Sequence, residues 1–290
     1  MSAYIISSEN KVLRVGGTGD FSVFRTFDCG QCFRFDMVEN SEYKCEFSGV
    51  AMGRKVSFAQ NEEGEIFIIG AEVEDFPMWE RYLSLDVDYE DINRSILENV
   101  ADEADREVTE KAIETSRGIR ILRQDRWEAL CSFIVSQNNN IPRIKKIIAA
   151  MCEKYGEKIG DAYDFPTAAR LFEAGEDELF ALRTGFRAKY IHDAARRVTE
   201  NGDFLESIAA AESYPDAERL LTSVKGVGPK VAACTLLFGF SRLDAFPADV
   251  WIKRVLERRY SVGFDHHAFG KNAGVAQQYL FYFERYLGGN

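Results

Sequence analysis

Over roughly the first seventy residues, apolar and polar positions alternate in short runs that read as β-strands. The runs are residues 21–27 (FSVFRTF), 32–37 (CFRFDM), 43–50 (YKCEFSGV), 55–59 and 65–69, separated by Gly, Asn, Glu and Ser. They are rich in aromatic and β-branched residues, which predicts an antiparallel sheet, with one helix around residues 77–83 covering part of it. From Tyr89 onward the apolar period lengthens to that of helices.

In the second part, residues 126–135 carry apolar side chains at helical spacing until Asn138-Asn139-Asn140 interrupts them. Asn caps helices well and proline fits a first turn, so a new helix starts at Ile141-Pro142-Arg143 and runs to about Gly156. Capping alone would account for the Asn run. Another helix opens at Pro215-Asp216 and is broken by Lys225-Gly226-Val227-Gly228, after which Pro229 begins the next. Further helices follow from Asp249 and from about Asn272 to Leu287. The expected fold is α+β, an antiparallel β domain over residues 1–95 followed by a mostly helical region over residues 96–290.

The composition is that of a globular protein, at 46% hydrophobic and 29% charged residues with six prolines, which excludes disorder and low complexity. The N-terminus lacks a basic start followed by a long apolar stretch, and the best apolar run, residues 231–240, is too short to cross a bilayer. The expectation is a protein of the cytoplasm or the chromosome, without membrane contact. Six scattered cysteines in such a chain favour free thiols. Cys29-Gly30-Gln31-Cys32 has no second pair at zinc-ribbon spacing, so its thiols are expected to face different ways at a strand end.

A formal net charge of −11 argues against a nucleic-acid partner, but the charge is unevenly spread. About two dozen acids and about ten bases lie before residue 111, whereas Arg117, Arg120, Arg123, Arg126, Arg143, Lys145 and Lys146 face only Asp125 and Glu128. Arg183, Arg187, Lys189, Arg196 and Arg197 form a second cluster beside Asp193. Salt limits the reach of distant charge to about 8 Å, so a local basic face on an acidic protein can still hold phosphates.

Helix, Gly-Val-Gly, helix is the helix-hairpin-helix pattern. Gly226 and Gly228 permit positive φ and close backbone approach, and the following helix N-terminus offers free amides that suit a DNA phosphate. Lys230 then opens one helix and Asp249 the next. A lysine at a helix N-terminus, partly desolvated, supplies some free amine as a nucleophile, while a nearby carboxylate stabilises positive charge but pulls the amine's pKa back up. A solvated turn lysine and a simple helix cap remain alternatives for the two residues.

At these positions, and at several others in the same order, the chain resembles the 8-oxoguanine DNA glycosylase family of the helix-hairpin-helix superfamily. The resemblance rests on CGQCFR at 29–34, GIRILRQD at 118–125, SQNNNIPR at 136–143, GFRAKY at 185–190, the hairpin with Lys230, Asp249, and AQQYLF at 276–281. It implies a TATA-binding-protein-like N-terminal sheet joined to two helical lobes that grip double-stranded DNA containing oxidised guanine, acting as a monomer with neither cofactor nor metal.

The chemistry that the resemblance implies is extrusion of the damaged base into a pocket, attack of Lys230 on C1′, and β-elimination from the resulting Schiff base, with Asp249 stabilising the cationic sugar. Oxidised guanine carries a hydrogen at N7 where guanine has a lone pair, and the carbonyl of Gly30 would tell them apart. Gln277 would meet the pairing edge, and Phe281 and Cys234 the two faces. Asn138 would fill the gap in the duplex, Phe186 would wedge it, and Arg143 with Arg187 would read the orphaned cytosine. Animal members usually have Tyr at Phe186 and His at Trp251, so the contacts at those two positions differ. Lys230 speaks against a monofunctional alkylpurine glycosylase. The absence of cysteine after Cys234 speaks against the iron-sulfur endonuclease III type. A non-catalytic DNA-binding module would leave Gly30, Gln277 and Phe281 unexplained.

Overall fold

A computed structural model describes residues 4–287. Six strands, β1 (Ile5–Glu9), β2 (Val12–Gly16), β3 (Phe35–Met37), β4 (Cys45–Ala51), β5 (Arg54–Gln60) and β6 (Ile66–Ile69), form one antiparallel sheet in the order β1-β2-β6-β5-β4-β3. The expected strands at residues 43–50, 55–59 and 65–69 correspond to β4, β5 and β6. Strands β1 and β2 had no counterpart in the sequence reading, although Leu13 and Val15 of β2 are fully buried.

Residues 21–27 are a correction: they form helix α1 (Val23–Asp28), not a strand. The Ser22 side chain caps it by accepting from the Arg25 amide at 3.3 Å. Val23, Thr26 and Phe27 then share one buried face at helical spacing, a pattern that the alternation of FSVFRTF also contains. Residues 32–34 lie in a turn, and only Phe35–Met37 of the next expected strand joins the sheet. Helix α2 (Phe76–Tyr82) covers the sheet as expected. Phe58 of β5 lies at the centre of this first core, with ring centroids 5.0 Å from Phe27, 5.4 Å from Trp79 and 5.8 Å from Tyr82.

The remainder is helical: α3 (Tyr89–Asn99), α4 (Glu103–Thr115), α5 (Arg126–Ser136), α6 (Ile141–Tyr155), α7 (Ala168–Leu179), α8 (Ala188–Glu200), α9 (Phe204–Ala209), α10 (Tyr214–Thr222), α11 (Pro229–Gly239), α12 (Val250–Arg259) and α13 (Ala273–Leu287). A two-stranded hairpin, β7 (Lys158–Ile159) and β8 (Ala162–Tyr163), separates α6 from α7. Every residue from Val231 to Gly239 in α11 is buried, making it the axial helix of the second core. Each fully buried Leu or Val there contributes about 1.5–3 kcal/mol of apolar transfer, so α11 and the lysine at its start are firmly seated. Among the described residues no helix is long and apolar enough to cross a membrane.

The turn at residues 28–32 joins the two cores. Cys29 packs into the helical core and Cys32 into the sheet core, so the two thiols do face different ways, although from a turn and not from a strand end. Burial pushes both thiols up, Cys29 to about 12, which leaves them inert at neutral pH. Gln31 fixes the turn. Its fully buried amide donates to the carbonyls of Thr26 and Arg120, both at 2.8 Å, and its Oε1 accepts from the Leu122 amide at 2.8 Å. The segment GIRILRQD thus serves as the backing of CGQC.

Candidate active site

Gly226 has φ +79°, which an L side chain adopts only with strain, and a Cβ there would lie 2.4 Å from the Tyr190 ring of α8. The hairpin therefore sits directly on that ring. Gly228 is the N-cap of α11 with φ −94°, so of the two hairpin glycines only Gly226 uses the positive-φ region that glycine permits. A Cβ at Gly228 would meet no protein atom within 4 Å, and neither glycine amide has an acceptor among the described residues. Two amides without an internal acceptor suit an approaching anion.

Pro229 begins α11 and Lys230 follows, half-buried, with its Nζ 5.8 Å from the centroid of Phe133. Phe133 stacks on Phe238 at 5.3 Å and meets Phe33 edge-on at 5.7 Å, so one side of the amine is an aromatic wall. One turn along, burial raises the Cys234 thiol, and the nearby Lys230 ammonium pulls against that rise. The charge of Asp249 reaches the same sulfur, which puts lysine, cysteine and aspartate together. Asp249 is the N-cap of α12: its Oδ1 accepts from the Ile252 amide at 2.9 Å, and no hydrogen bond to Oδ2 is found among the described residues. One oxygen holds the helix while the other is available, so capping and chemistry coexist.

Lys230, Cys234 and Asp249 line one cavity together with Gly30, Gln277 and Phe281. Its volume of about 460 Å³ lies within the range of small-molecule sites. Gln277 is 5% exposed, and its Oε1 is buried without a hydrogen-bond partner among the described residues. A buried acceptor without a partner, facing a cavity, fits a bound donor. Gly30 has φ +78°, and a Cβ on it would stand 3.7 Å from Phe281, narrowing the cleft between the turn and α13.

The expected duplex-contacting residues lie outside this lining. Asn138 is exposed at φ +46° at the apex of the turn between α5 and α6, while Asn139 and Asn140 line the cavity and Asn140 caps α6. Phe186 is 46% exposed, and the Arg187 guanidinium lies 4.4 Å from its ring centroid. Arg143 is exposed at the start of α6, whereas Arg187 is only 3% exposed and donates to the carbonyls of Gln137, Asn138 and Thr184. The first basic cluster is largely committed internally: Arg120 pairs with Asp20, Arg123 with Asp86, Arg126 with Glu206 and Lys145 with Asp36. Arg143, Lys146, Arg183 and Lys189 form no ion pair among the described residues.

Phe133, Pro247 and Gln278 also line the cavity, beyond the residues expected from the sequence. A buried aromatic in α5 carries no sequence signal that separates it from core, whereas the doublet Gln277-Gln278 in an apolar helix was a signal that could have been used. Trp251, flagged as a departure, stands at the rim, 53% exposed, with Arg254 5.6 Å from its ring centroid.

The chain is similar in sequence and fold to known proteins. Residues 16–130 match the family described as 8-oxoguanine DNA glycosylase, N-terminal domain, and residues 131–268 match the HhH-GPD superfamily base excision DNA repair proteins. The solved structure of MBOgg1 in complex with a low-affinity DNA ligand is 38% identical, covers 99% of both chains and superposes with a TM-score of 0.87. The 8-oxoguanine glycosylase/lyase of Clostridium acetobutylicum, in complex with double-stranded DNA containing cytosine opposite 8-oxoG, is 33% identical over 98% of this chain and 99% of that one, with a TM-score of 0.88. The N-glycosylase/DNA lyase of Saccharomyces cerevisiae is 40% identical over 161 residues, which is 50% of this chain but 43% of the yeast protein. Two consecutive family matches and full-length likeness above 30% identity lead to one conclusion: the chain belongs to the 8-oxoguanine DNA glycosylase family of the HhH-GPD superfamily.

Proposed function

We propose that this chain is a bifunctional repair glycosylase that removes 8-oxoguanine from double-stranded DNA and then nicks the strand. The observation that carries the reading is the meeting of Lys230 and Asp249 with Gly30, Gln277 and Phe281 around a single cavity. In this reading the hairpin amides hold a phosphate, the extruded nucleotide enters the cavity, and the lesion lies between Phe281 and Cys234. The Gly30 carbonyl accepts from the N7 hydrogen that guanine lacks, and Gln277 meets the pairing edge.

The uncharged Lys230 amine adds to C1′ as the glycosidic bond breaks. The base leaves with the bonding pair and takes up a proton, and the amine nitrogen loses one. Opening of the sugar gives a Schiff base. Loss of a C2′ proton then expels the 3′ phosphate, leaving a nick. Asp249, its carboxylate half free, stabilises the positive sugar during the first step. Asn138, Phe186, Arg143 and Arg187 would occupy and read the vacated duplex, with cytosine preferred opposite the lesion. The functional division falls between a β unit over residues 1–95 and the catalytic helical unit over residues 96–290.

Borohydride reduction during reaction with a duplex containing 8-oxoguanine opposite cytosine tests this. A covalent protein–DNA adduct is expected from the native chain and none from Lys230→Gln, which should still bind the lesion. Absence of an adduct from the native chain would overturn the bifunctional reading.

A further inference from the structure

Three successive carbonyls, those of Cys29, Gly30 and Gln31, run beside the cavity that Cys29 and Gly30 line, and they are not held alike. The Cys29 carbonyl accepts from Gln278 Nε2 at 2.9 Å, and the Gln31 carbonyl accepts from Gln124 Nε2 at 2.6 Å. Between them the Gly30 carbonyl accepts nothing among the described residues. The Gly30 peptide is thus fixed on both sides with its acceptor left open. Glycine at φ +78° is intrinsically loose, so this fixation must come from outside the turn. The buried member of the pair is Gln278, 3% exposed on α13, the helix that also carries Gln277 and Phe281.

We propose that Gln278 is a positioning residue for damage discrimination, its amide holding the Cys29–Gly30 peptide so that the Gly30 carbonyl stays aimed into the base cavity. The inference rests on the reading above, in which that carbonyl distinguishes a hydrogen from a lone pair at N7. Such a distinction decays steeply with distance and angle, so a few tenths of an ångström of slack would blunt it. Carrying the clamp on the same helix as Gln277 also couples the two base contacts: a shift of α13 moves the reader of the pairing edge and the anchor of the N7 reader together.

The test compares the native chain with Gln278→Met, which keeps the volume, and Gln278→Glu, which puts an acceptor against the carbonyl. Two rates are measured under single-turnover conditions, excision from a duplex with 8-oxoguanine opposite cytosine and β-elimination at a preformed abasic site, which has no base to position. Preference for the 8-oxoguanine duplex over the guanine duplex is measured by competition binding. Both variants should lose at least about tenfold in excision and in lesion preference, Gln278→Glu the more, while elimination stays within about twofold. Unchanged excision and preference, an equal fall in both rates, or failure of both variants to fold by thermal unfolding would each overturn the proposal. A native chain inactive on 8-oxoguanine would instead overturn the functional reading itself.

Discussion

Asp193 accepts a hydrogen bond from the backbone amide of Lys225 at 2.9 Å, tying α8 to the first residue of the hairpin. Arg196 and Arg197 hold the same carboxylate at 3.0 Å and 3.1 Å. With Tyr190 packed under Gly226, α8 makes the bed on which the hairpin turn lies.

Loss of that anchor should be felt by DNA more than by the fold. Asp193→Ala leaves the Lys225 amide near solvent and should cost roughly 1–3 kcal/mol in unfolding free energy. Duplex affinity should fall several-fold for lesion and undamaged DNA alike, because only a phosphate contact is affected. The Asp193 carboxyl sits below its ordinary range, since the Lys225 amide and the two arginines outweigh the burial that would raise it. Its contribution to stability is therefore present at neutral pH and lost as pH falls through that depressed value. Denaturation as a function of pH, native against Asp193→Ala, measures the difference.

Gly226→Ala combines left-handed strain of roughly 1–2 kcal/mol with a Cβ 2.4 Å from the Tyr190 ring. A loss of at least about 2 kcal/mol is expected, with duplex binding sharply weakened. In a Tyr190→Ala background the steric part disappears and only the strain remains, so a double-mutant cycle should show the two substitutions to be strongly coupled. Additive effects would mean that the hairpin is not seated on the ring.

How much of this was legible in the sequence depends on where the signal was local. The hairpin, the caps at Asn140 and Asp249 and the proline-led starts of α6, α10 and α11 are written in adjacent residues, and the structure reproduces them. FSVFRTF was misread because its apolar positions satisfy two periods at once. What decides for α1 is the Ser22 cap together with a Phe58 ring supplied by a distant strand. The edge strand β1 alternates exposed and half-buried residues and carries almost no apolar signal. Among the candidate site residues, motif order singled out Gly30, Lys230, Asp249, Gln277 and Phe281, which line one cavity. The role of Gln278 was not legible, because its partner lies 249 residues away. Nor did local charge counting reveal that Arg120 and Arg126 are tied up by Asp20 and Glu206.

Glu128 of α5 is a part-buried carboxylate, paired with Arg34 at 3.0 Å. Burial raises its pKa from 4.5 to about 7 despite the arginine's pull, with Asp125 and Asp164 adding to the rise. The folded state thus holds this proton more tightly than the unfolded chain does. Its stabilising contribution is complete below about pH 4.5 and is lost as pH rises through 7. Glu128→Gln removes the titration. The difference in unfolding free energy between native and variant should change by about 1–3 kcal/mol across that window and be flat outside it. A difference independent of pH would place the titration elsewhere.

Arg143 and Arg187 are expected to read the same orphaned base, but they are built into the protein differently, and that separates their substitutions. Arg143 is exposed and makes no ion pair among the described residues, so Arg143→Ala should leave the thermal midpoint unchanged while relaxing the preference for cytosine opposite the lesion. Arg187 is buried, its charge disfavoured by desolvation and by neighbouring Arg143, and it joins Gln137 and Asn138 to Thr184. Arg187→Ala strands these carbonyls and should cost roughly 2–4 kcal/mol in stability, besides releasing the turn that presents Asn138. Arg187→Lys keeps the charge but cannot span carbonyls of both segments, so it should recover less than half of the loss. Excision rates opposite each of the four bases, set beside chemical denaturation of the three variants, decide the matter. If Arg187→Ala proved as stable as Arg143→Ala, the buried guanidinium would not be what holds the turn between α5 and α6 in shape.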